Sequence, residues 1–177
     1  MRTFVALEVP DGFRFEVVAL ARQLAEHVDG RFTQPENYHL TLAFLGDTSE
    51  REIALAIDAL ETACANRLAL PLAADGLGKF GKANDATLWL GIAPVDALVA
   101  MADEVRNALA AHELPFDQKP FKPHITLARR AAIPKTVLPS LPFPAPAHAS
   151  AVTLFKSELD SEGAIYTPLH AIELAQP

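Results

Sequence analysis

The chain has 177 residues, 50% of them apolar, one cysteine and a formal net charge of −7. That is enough apolar material to bury a sizeable core in one domain or two closely packed lobes. The acidic balance excludes a general nucleic-acid coat protein, and the lone Cys64 excludes an internal disulfide and suits a reducing compartment.

Residues 2–9 read as a buried strand ended by Pro10-Asp11-Gly12, and residues 13–28 have helical spacing stopped by Asp29-Gly30. The opening run is too short, and too interrupted by Glu8, for a signal-peptide core, and no apolar stretch approaches bilayer length. A soluble, cytoplasmic protein with no membrane association is expected. A short strand at 31–33 precedes a longer one from Tyr38 to Leu45, closed by Gly46-Asp47. Ser49 with Glu52 three residues later makes a capping box for a helix running to about residue 66, with Cys64 in its apolar pattern as a core residue. Residues 68–74 and 87–92 read as strands joined by a loop over 76–85. Within that loop, Gly76-Leu77-Gly78-Lys79-Phe80-Gly81 lacks the Gly-Lys-Ser/Thr ending of a phosphate loop and reads as a turn. A third long helix opens at Pro94 or Val95 and ends near His112, and Pro115, Pro120 and Pro123 punctuate the approach to a strand at 121–128. The proline-rich stretch 134–146 reads as a packed surface connection before two last strands, 150–158 and 165–174. Strands interleaved with three long helices indicate an α+β, α/β-type sandwich. We expect residues 1–177 to form a single bilobal domain, each lobe a sheet with helices packed outside, and a groove between the sheets.

Two of these strands open on the same pattern, His39-Leu40-Thr41-Leu42 and His124-Ile125-Thr126-Leu127. In an extended strand His and Thr two positions apart share one face, while Leu40 and Leu42, or Ile125 and Leu127, point to the other. Alone, either tetrapeptide is an ordinary half-buried strand. Facing each other, they offer two imidazoles and two hydroxyls around one small anionic group, the equipment for in-line displacement at phosphorus: a general base, a general acid and donors to the oxygens. The chain's only strongly basic stretch, Lys119, Lys122, Arg129, Arg130 and Lys135, brackets the second copy and suggests anion binding. His27, His112, His148 and His170 do not repeat the pattern and read as surface or capping residues. A zinc site is not expected, because the chain has no cysteine pair and the motif histidines lack a nearby third ligand. Phe44, Phe80, Trp89, Phe121 and Tyr166 read mainly as core, with one of them free to stack on a nucleobase.

Taken with their contexts, the motifs resemble the RNA 2′,3′-cyclic phosphodiesterase (2′-5′ RNA ligase-like) family of the two-histidine (2H) phosphoesterase superfamily. The similarity runs through Arg2-Thr3-Phe4-Val5-Ala6-Leu7, Pro35-Glu36-Asn37-Tyr38-His39-Leu40-Thr41-Leu42-Ala43-Phe44-Leu45-Gly46, Leu88-Trp89-Leu90-Gly91, Phe121-Lys122-Pro123-His124-Ile125-Thr126-Leu127-Ala128-Arg129, and the closing segment from Ser157 to Leu169. The resemblance implies two pseudo-symmetric sheet-plus-helix lobes around a central cleft carrying both motifs. It implies metal-free, cofactor-free opening of RNA 2′,3′-cyclic phosphate ends to 2′-phosphates, with His124 as proton acceptor, His39 as proton donor and Thr41 and Thr126 on the phosphate oxygens. The acid and base roles come from the resemblance alone, since the two motifs are chemically equivalent in sequence. Arg129 and Phe44 are candidate substrate-binding residues, the partners are RNA ends or related nucleotides, and no obligate protein partner is inferred. One departure is visible: Asp85-Ala86-Thr87 stands where the family commonly has a basic residue before its Leu-Trp pair. Two other readings stay open from sequence. One is a phosphodiesterase acting on small cyclic nucleotides, ADP-ribose cyclic phosphate or 2′-5′ oligonucleotides; the other is a non-catalytic RNA-end binding module.

Overall fold

A computed structural model describes residues 1–177. In chain order its elements are β1 (Arg2–Glu8), α1 (Asp11–Ala25), β2 (Asp29–Phe32), a 3-10 turn at Pro35–Asn37, β3 (His39–Asp47), α2 (Glu50–Cys64), β4 (Leu70–Leu72), β5 (Ala74–Lys82), β6 (Asp85–Ile92), α3 (Asp96–Ala111), β7 (His124–Ala132), β8 (Ala147–Ala149), β9 (Ala151–Leu159) and β10 (Ala164–Glu173). The strands form two four-stranded sheets, ordered β10-β9-β1-β3 and β2-β7-β6-β5, and a small β4-β8 pair. Every ladder is antiparallel. The class is therefore α+β. The expected lobes are present as two sheets, each holding one His-x-Thr-x strand.

Burial explains the strand sequences. β1 and β6 are nearly all apolar because each is flanked by strands on both sides and covered on its inner face. β3 is an edge strand. Its outward carbonyls are satisfied from outside the sheet, by Arg106 Nε donating to Leu42 O at 3.0 Å and the Asp117 amide donating to Phe44 O at 2.9 Å. This contact blunts the edge and docks α3 and its following loop against the first motif strand. One contiguous apolar cluster includes Leu7, Leu40 and Leu42 of the first sheet, Leu90, Ile125 and Leu127 of the second, and Leu20, Leu60, Leu98 and Leu109 of the helices. Each fully buried leucine contributes about 1.5–3 kcal/mol relative to exposure. The two sheets thus share one interior, which fixes the position of β3 against β7, and these strands touch.

The expected capping box is present. The Ser49 hydroxyl accepts from the Glu52 amide, and Glu52 Oε2 accepts from the Ser49 amide at 2.7 Å. Helix and strand ends fall within a few residues of the expectation, and the proline-rich stretch is irregular as read. The segment 76–85 corrects it. Most of this segment is not a loop but belongs to strand β5, paired with β6 through a two-residue turn between Lys82 and Asp85. The glycines that suggested a turn serve the strand: a Cβ on Gly78 would lie 2.1 Å from Trp89 Cη2, so only glycine lets the indole lie across the neighbouring strand. The second motif strand also runs four residues further than expected, to Ala132. The short β8 carries too few residues for any alternation to be visible in the sequence. No helix is long and apolar enough to cross a membrane.

Candidate active site

Each motif strand breaks its alternation at the same point. In β3, Val5 is opposite Ala43 and Ala6 opposite Thr41, which leaves Leu42 without a partner. In β7, Leu88 is opposite Ala128 and Trp89 opposite Thr126, which leaves Leu127 without one. These β-bulges bury two consecutive residues, Leu42-Ala43 and Leu127-Ala128. They also reset the phase, so the next residue joins the face of the histidine and threonine. That residue is Phe44 on one strand and Arg129 on the other.

Both imidazoles are held in the same way. His39 Nδ1 donates to Asn37 O at 2.7 Å, and His124 Nδ1 donates to Lys122 O at 2.6 Å, each carbonyl lying two residues upstream. A carbonyl only accepts, so Nδ1 carries the hydrogen and Nε2 of the neutral ring is the open, basic nitrogen. His39 Nε2 accepts from Thr41 Oγ1 at 3.1 Å. Each ring is also wedged between two aromatics. Phe4 and Tyr166 hold His39 at centroid distances of 4.8 and 5.1 Å, and Phe80 and Trp89 hold His124 at 5.1 and 5.8 Å.

Enclosure sets the electrostatics. Burial holds the pKa of His39 down to about 4, against the pull of its bond to Asn37, with further lowering from His124 and Arg129. His124 is lowered by the same cause and by the cations Arg129 and Lys122. The effect of His124 on His39, and the reach of Arg129 to both, put the three groups in one electrostatic unit. At neutral pH both rings rest neutral, and an arriving anion would raise both pKa values by offsetting burial and the surrounding positive charge.

His39 itself lines a small cavity of about 200 Å³ with Glu8, Arg14 and Tyr166, and two larger ones lie nearby. One, of about 660 Å³, is lined by Thr41, Phe44, Phe80, Phe121, Lys122 and His124, with Arg106 and Lys119 also on its wall. Most of its cations are committed: Lys119 to Asp117 at 3.2 Å, and Arg106 to the carbonyls of Leu42 and Lys119 and to the ring of Phe121. Lys122 lies over the rings of Trp89 and Phe80. The other cavity, of about 670 Å³, is lined by Arg31, Gln34, Asn37, Arg129, Arg130 and Tyr166, among others.

Thr41, Phe44 and His124 line one cavity, and His39 joins them through its bond to Thr41 and the electrostatic effect of His124 upon it, with Thr126 on the face of His124 opposite Trp89 and Arg129 within electrostatic reach of both rings. The basic stretch divides: Lys119 and Lys122 line one cavity, Arg129 and Arg130 the other, and Lys135 neither. His27, His112, His148 and His170 line neither cavity, and His170 instead bonds Glu61 at 2.7 Å. Of the aromatics read mainly as core, Trp89 is buried but Phe80 is 41% exposed and Phe44, Phe121 and Tyr166 are half-buried. Sequence reading missed the carbonyls of Asn37 and Lys122, for which no side chain gives a signal, and missed Phe4, Arg31 and Arg106, which the fold brings in from elsewhere. No three His, Cys, Asp or Glu side chains converge as a metal-holding group.

A profile of the 2′-5′ RNA ligase superfamily matches residues 10–161. The chain is 32% identical to the RNA 2′,3′-cyclic phosphodiesterase of Thermus thermophilus, over 98% of this chain and 90% of that protein. It is 31% identical to the RNA 2′,3′-cyclic phosphodiesterase of Escherichia coli, over 99% of this chain and 97% of that protein. Among solved structures, Escherichia coli LigT in its apo form matches with a TM-score of 0.83 at 28% identity, covering 99% of this chain and 98% of that one. LigT has also been crystallised with 3′-AMP.

Proposed function

The chain belongs to the 2′-5′ RNA ligase superfamily, and from that premise we propose that it opens RNA 2′,3′-cyclic phosphate ends by a metal-free reaction run by His39 and His124. The observation that carries this reading is the matched pair of imidazoles, each fixed through Nδ1 to a carbonyl two residues upstream, with Nε2 left for proton transfer. Such a pair suits in-line displacement, where a base and an acid work on opposite sides of phosphorus. His124, the less enclosed ring, opens on the cavity walled by Phe44, Phe80 and Phe121, takes the proton of the attacking water and lets its oxygen bond to phosphorus. His39, more deeply enclosed, delivers its proton to the departing 3′ oxygen as that P–O bond breaks. The product carries a 2′-phosphate and a 3′-hydroxyl. His39 resists protonation in the free protein, so the proton it donates is taken up as the anionic substrate arrives and offsets the cost of burial. Once His39 Nε2 is protonated it no longer accepts from Thr41, and the freed Thr41 hydroxyl joins Thr126 in donating to the non-bridging oxygens, where charge builds in the transition state.

Phe44, Phe80 and Phe121 give the base of the terminal nucleotide apolar walls, and stacking of this kind is how unpaired ends are gripped. Residues 1–177 act as one bilobal unit, because each lobe supplies half of the proton-transfer pair. The proposed place of action is the cytoplasm, which suits a chain whose one cysteine is a buried free thiol with its pKa pushed up to about 11. The deciding experiment is product analysis on an oligonucleotide ending in a 2′,3′-cyclic phosphate, with EDTA present throughout. A 2′-phosphate product at undiminished rate is expected. A 3′-phosphate product would overturn the assignment of donor and acceptor, and activity lost to EDTA and restored by a divalent ion would overturn the metal-free mechanism.

A further inference from the structure

The two motif imidazoles hang from carbonyls that are themselves held in different ways. Lys122 O, which anchors His124, lies beside Pro123, whose own carbonyl accepts from the amide of the buried Ile92 at 3.0 Å. That loop is pinned to the backbone of an inner strand, β6. Asn37 O, which anchors His39, ends the turn Pro35–Asn37, a single 3-10 turn with little stability of its own. The one side-chain bond from this turn to another element runs from Asn37 Nδ2, which donates to Ala164 O on β10 at 2.7 Å. Asn37 therefore works at both ends: its side chain grips the β9–β10 hairpin and its carbonyl holds His39. Tyr166, two positions along β10 on the strand face of Ala164, meets the His39 ring edge-on at 5.1 Å. The hairpin thus reaches His39 twice, once directly and once through Asn37.

The end of that hairpin is held by a second small network. β9 and β10 make their last pair at Leu159 and Ala164, and beyond it Asp160 Oδ1 accepts from the amides of Glu162 and Gly163 at 2.7 and 2.9 Å. Residues 158–162 are exposed, so this turn has no core to hold it. Ala164, which receives the Asn37 amide, is the first residue of β10, and its place depends on that turn. A ring whose Nδ1 loses its acceptor is free to swing Nε2 out of line, and a misplacement of about 1 Å can cost roughly 10²-fold in rate. We propose that the Asn37 side chain is a positioning residue for the proton donor, tying the His39 anchor to the β9–β10 hairpin so that Nε2 stays aimed at the departing 3′ oxygen. The proposal rests on the cyclic phosphodiesterase reading for the role given to His39. The His124 anchor has no such tie, so the hairpin governs one proton transfer and not the other.

Asn37→Ala keeps the backbone carbonyl and removes only the bond to Ala164. It should lower kcat on a cyclic-phosphate oligonucleotide about 10-fold or more and change KM less than about 2-fold, the split expected when the acid rather than the bound ground state is disturbed. Long-range ¹H–¹⁵N spectra of the free protein supply a readout that a merely structural role would not move. In the wild type the His39 signals, assigned by their absence in His39→Asn, should show one neutral tautomer, with hydrogen on Nδ1, and titrate at about 4. In Asn37→Ala the single tautomer should be lost and the titration should move up toward about 6.5, because burial, the larger cause of the depression, is relieved. His124 should stay as it is. Asp160→Ala should move the His39 signals the same way by less, and Asp160→Asn, which keeps an oxygen for the two amides, should leave them as in the wild type. These substitutions leave in place the charged and titratable groups around His39, namely Glu8, Arg14, Glu36 and Tyr166 in the cavity it lines and His124 and Arg129 beyond. An unchanged His39 tautomer and titration in Asn37→Ala, an Asp160→Ala variant without effect on His39, or equal movement of both histidines would each overturn the proposal. The spectra need no turnover, so a wild-type protein without activity would count against the hydrolase reading alone.

Discussion

Strands β3 and β7 carry the same run, His-x-Thr-Leu-Ala, and the same bulge after the threonine, yet one delivers Phe44 to the cleft and the other Arg129. Their settings differ as well. β3 is a sheet edge sealed by Arg106 and Asp117, while β7 is flanked by β6 and β2 and takes Arg31 as a cross-strand neighbour. In the proposed reaction the backbone is duplicated where proton transfer needs two matched groups, and it diverges in the next residue, where the substrate is asymmetric. A cyclic phosphate end has a base on one side and a phosphodiester on the other. One strand supplies an aromatic and the other a cation. The difference teaches that the repeated part is the chemistry and the unrepeated part is the orientation of the substrate.

The largest expected effect tests the symmetric part. His39→Ala and His124→Ala should each lower kcat/KM on a cyclic-phosphate oligonucleotide by roughly 10²–10⁴-fold, the usual worth of a positioned acid or base. Because both rings serve one step, the double variant should be little worse than either single one. Circular dichroism of each variant checks that the fold survives. A variant of either histidine that keeps near-full activity would break the equivalence of the two strands and, with it, the two-histidine mechanism.

A smaller effect should fall on one lobe only. Trp89 forms one wall of the His124 enclosure, and it lies there because Gly78 has no side chain. Gly78→Ala puts a methyl into the space of the indole ring, an overpacking that costs about 1–3 kcal/mol. We expect a lower melting temperature, a shift in the emission of the single tryptophan and a several-fold loss of kcat. The His39 side has no counterpart, since its walls, Phe4 and Tyr166, do not rest on a glycine in this way. Unchanged emission together with full activity in Gly78→Ala would show that the indole does not hold His124.

These contrasts also show what the sequence could reveal. The two motifs, the capping box at Ser49 and the placement of Thr41 and Thr126 on the histidine faces were legible because they depend on local spacing. The bulges were not, because a bulge is a relation between two strands and leaves no mark on either one alone. The run Gly76 to Gly81 misled for a related reason. Glycine is frequent in turns, but Gly78 is needed in a strand to clear an indole on its neighbour, a demand visible only after β5 and β6 pair. The pairing of Arg31 with Arg129 could not be found at all, since the two are far apart in sequence and meet only across β2 and β7.

The more and the less enclosed of the two motif histidines should also differ in how they couple to stability, and this is the finest test of the comparison. The pKa of His39 is held down to about 4 in the folded chain, against about 6.5 for an unperturbed imidazole. Between those values the unfolded chain binds the proton and the folded one does not, so stability falls as the pH is lowered through the window. The contribution is fully present above about 6.5 and is gone once the pH has dropped through about 4. His124 has the same sign with a smaller shift. Replacement by asparagine keeps a side-chain N–H for the upstream carbonyl and removes the titration. Melting temperatures at pH 7 and pH 4.5 should therefore drop least in His39→Asn, more in His124→Asn and most in the wild type. The same depression places the bell of kcat/KM against pH on the acid side of 6.5, whichever ring is acid and whichever base, because both assignments need one proton on the pair. A wild-type loss of melting temperature matched in full by His39→Asn would mean that His39 is not buried against protonation, and the two strands would then be electrostatically alike.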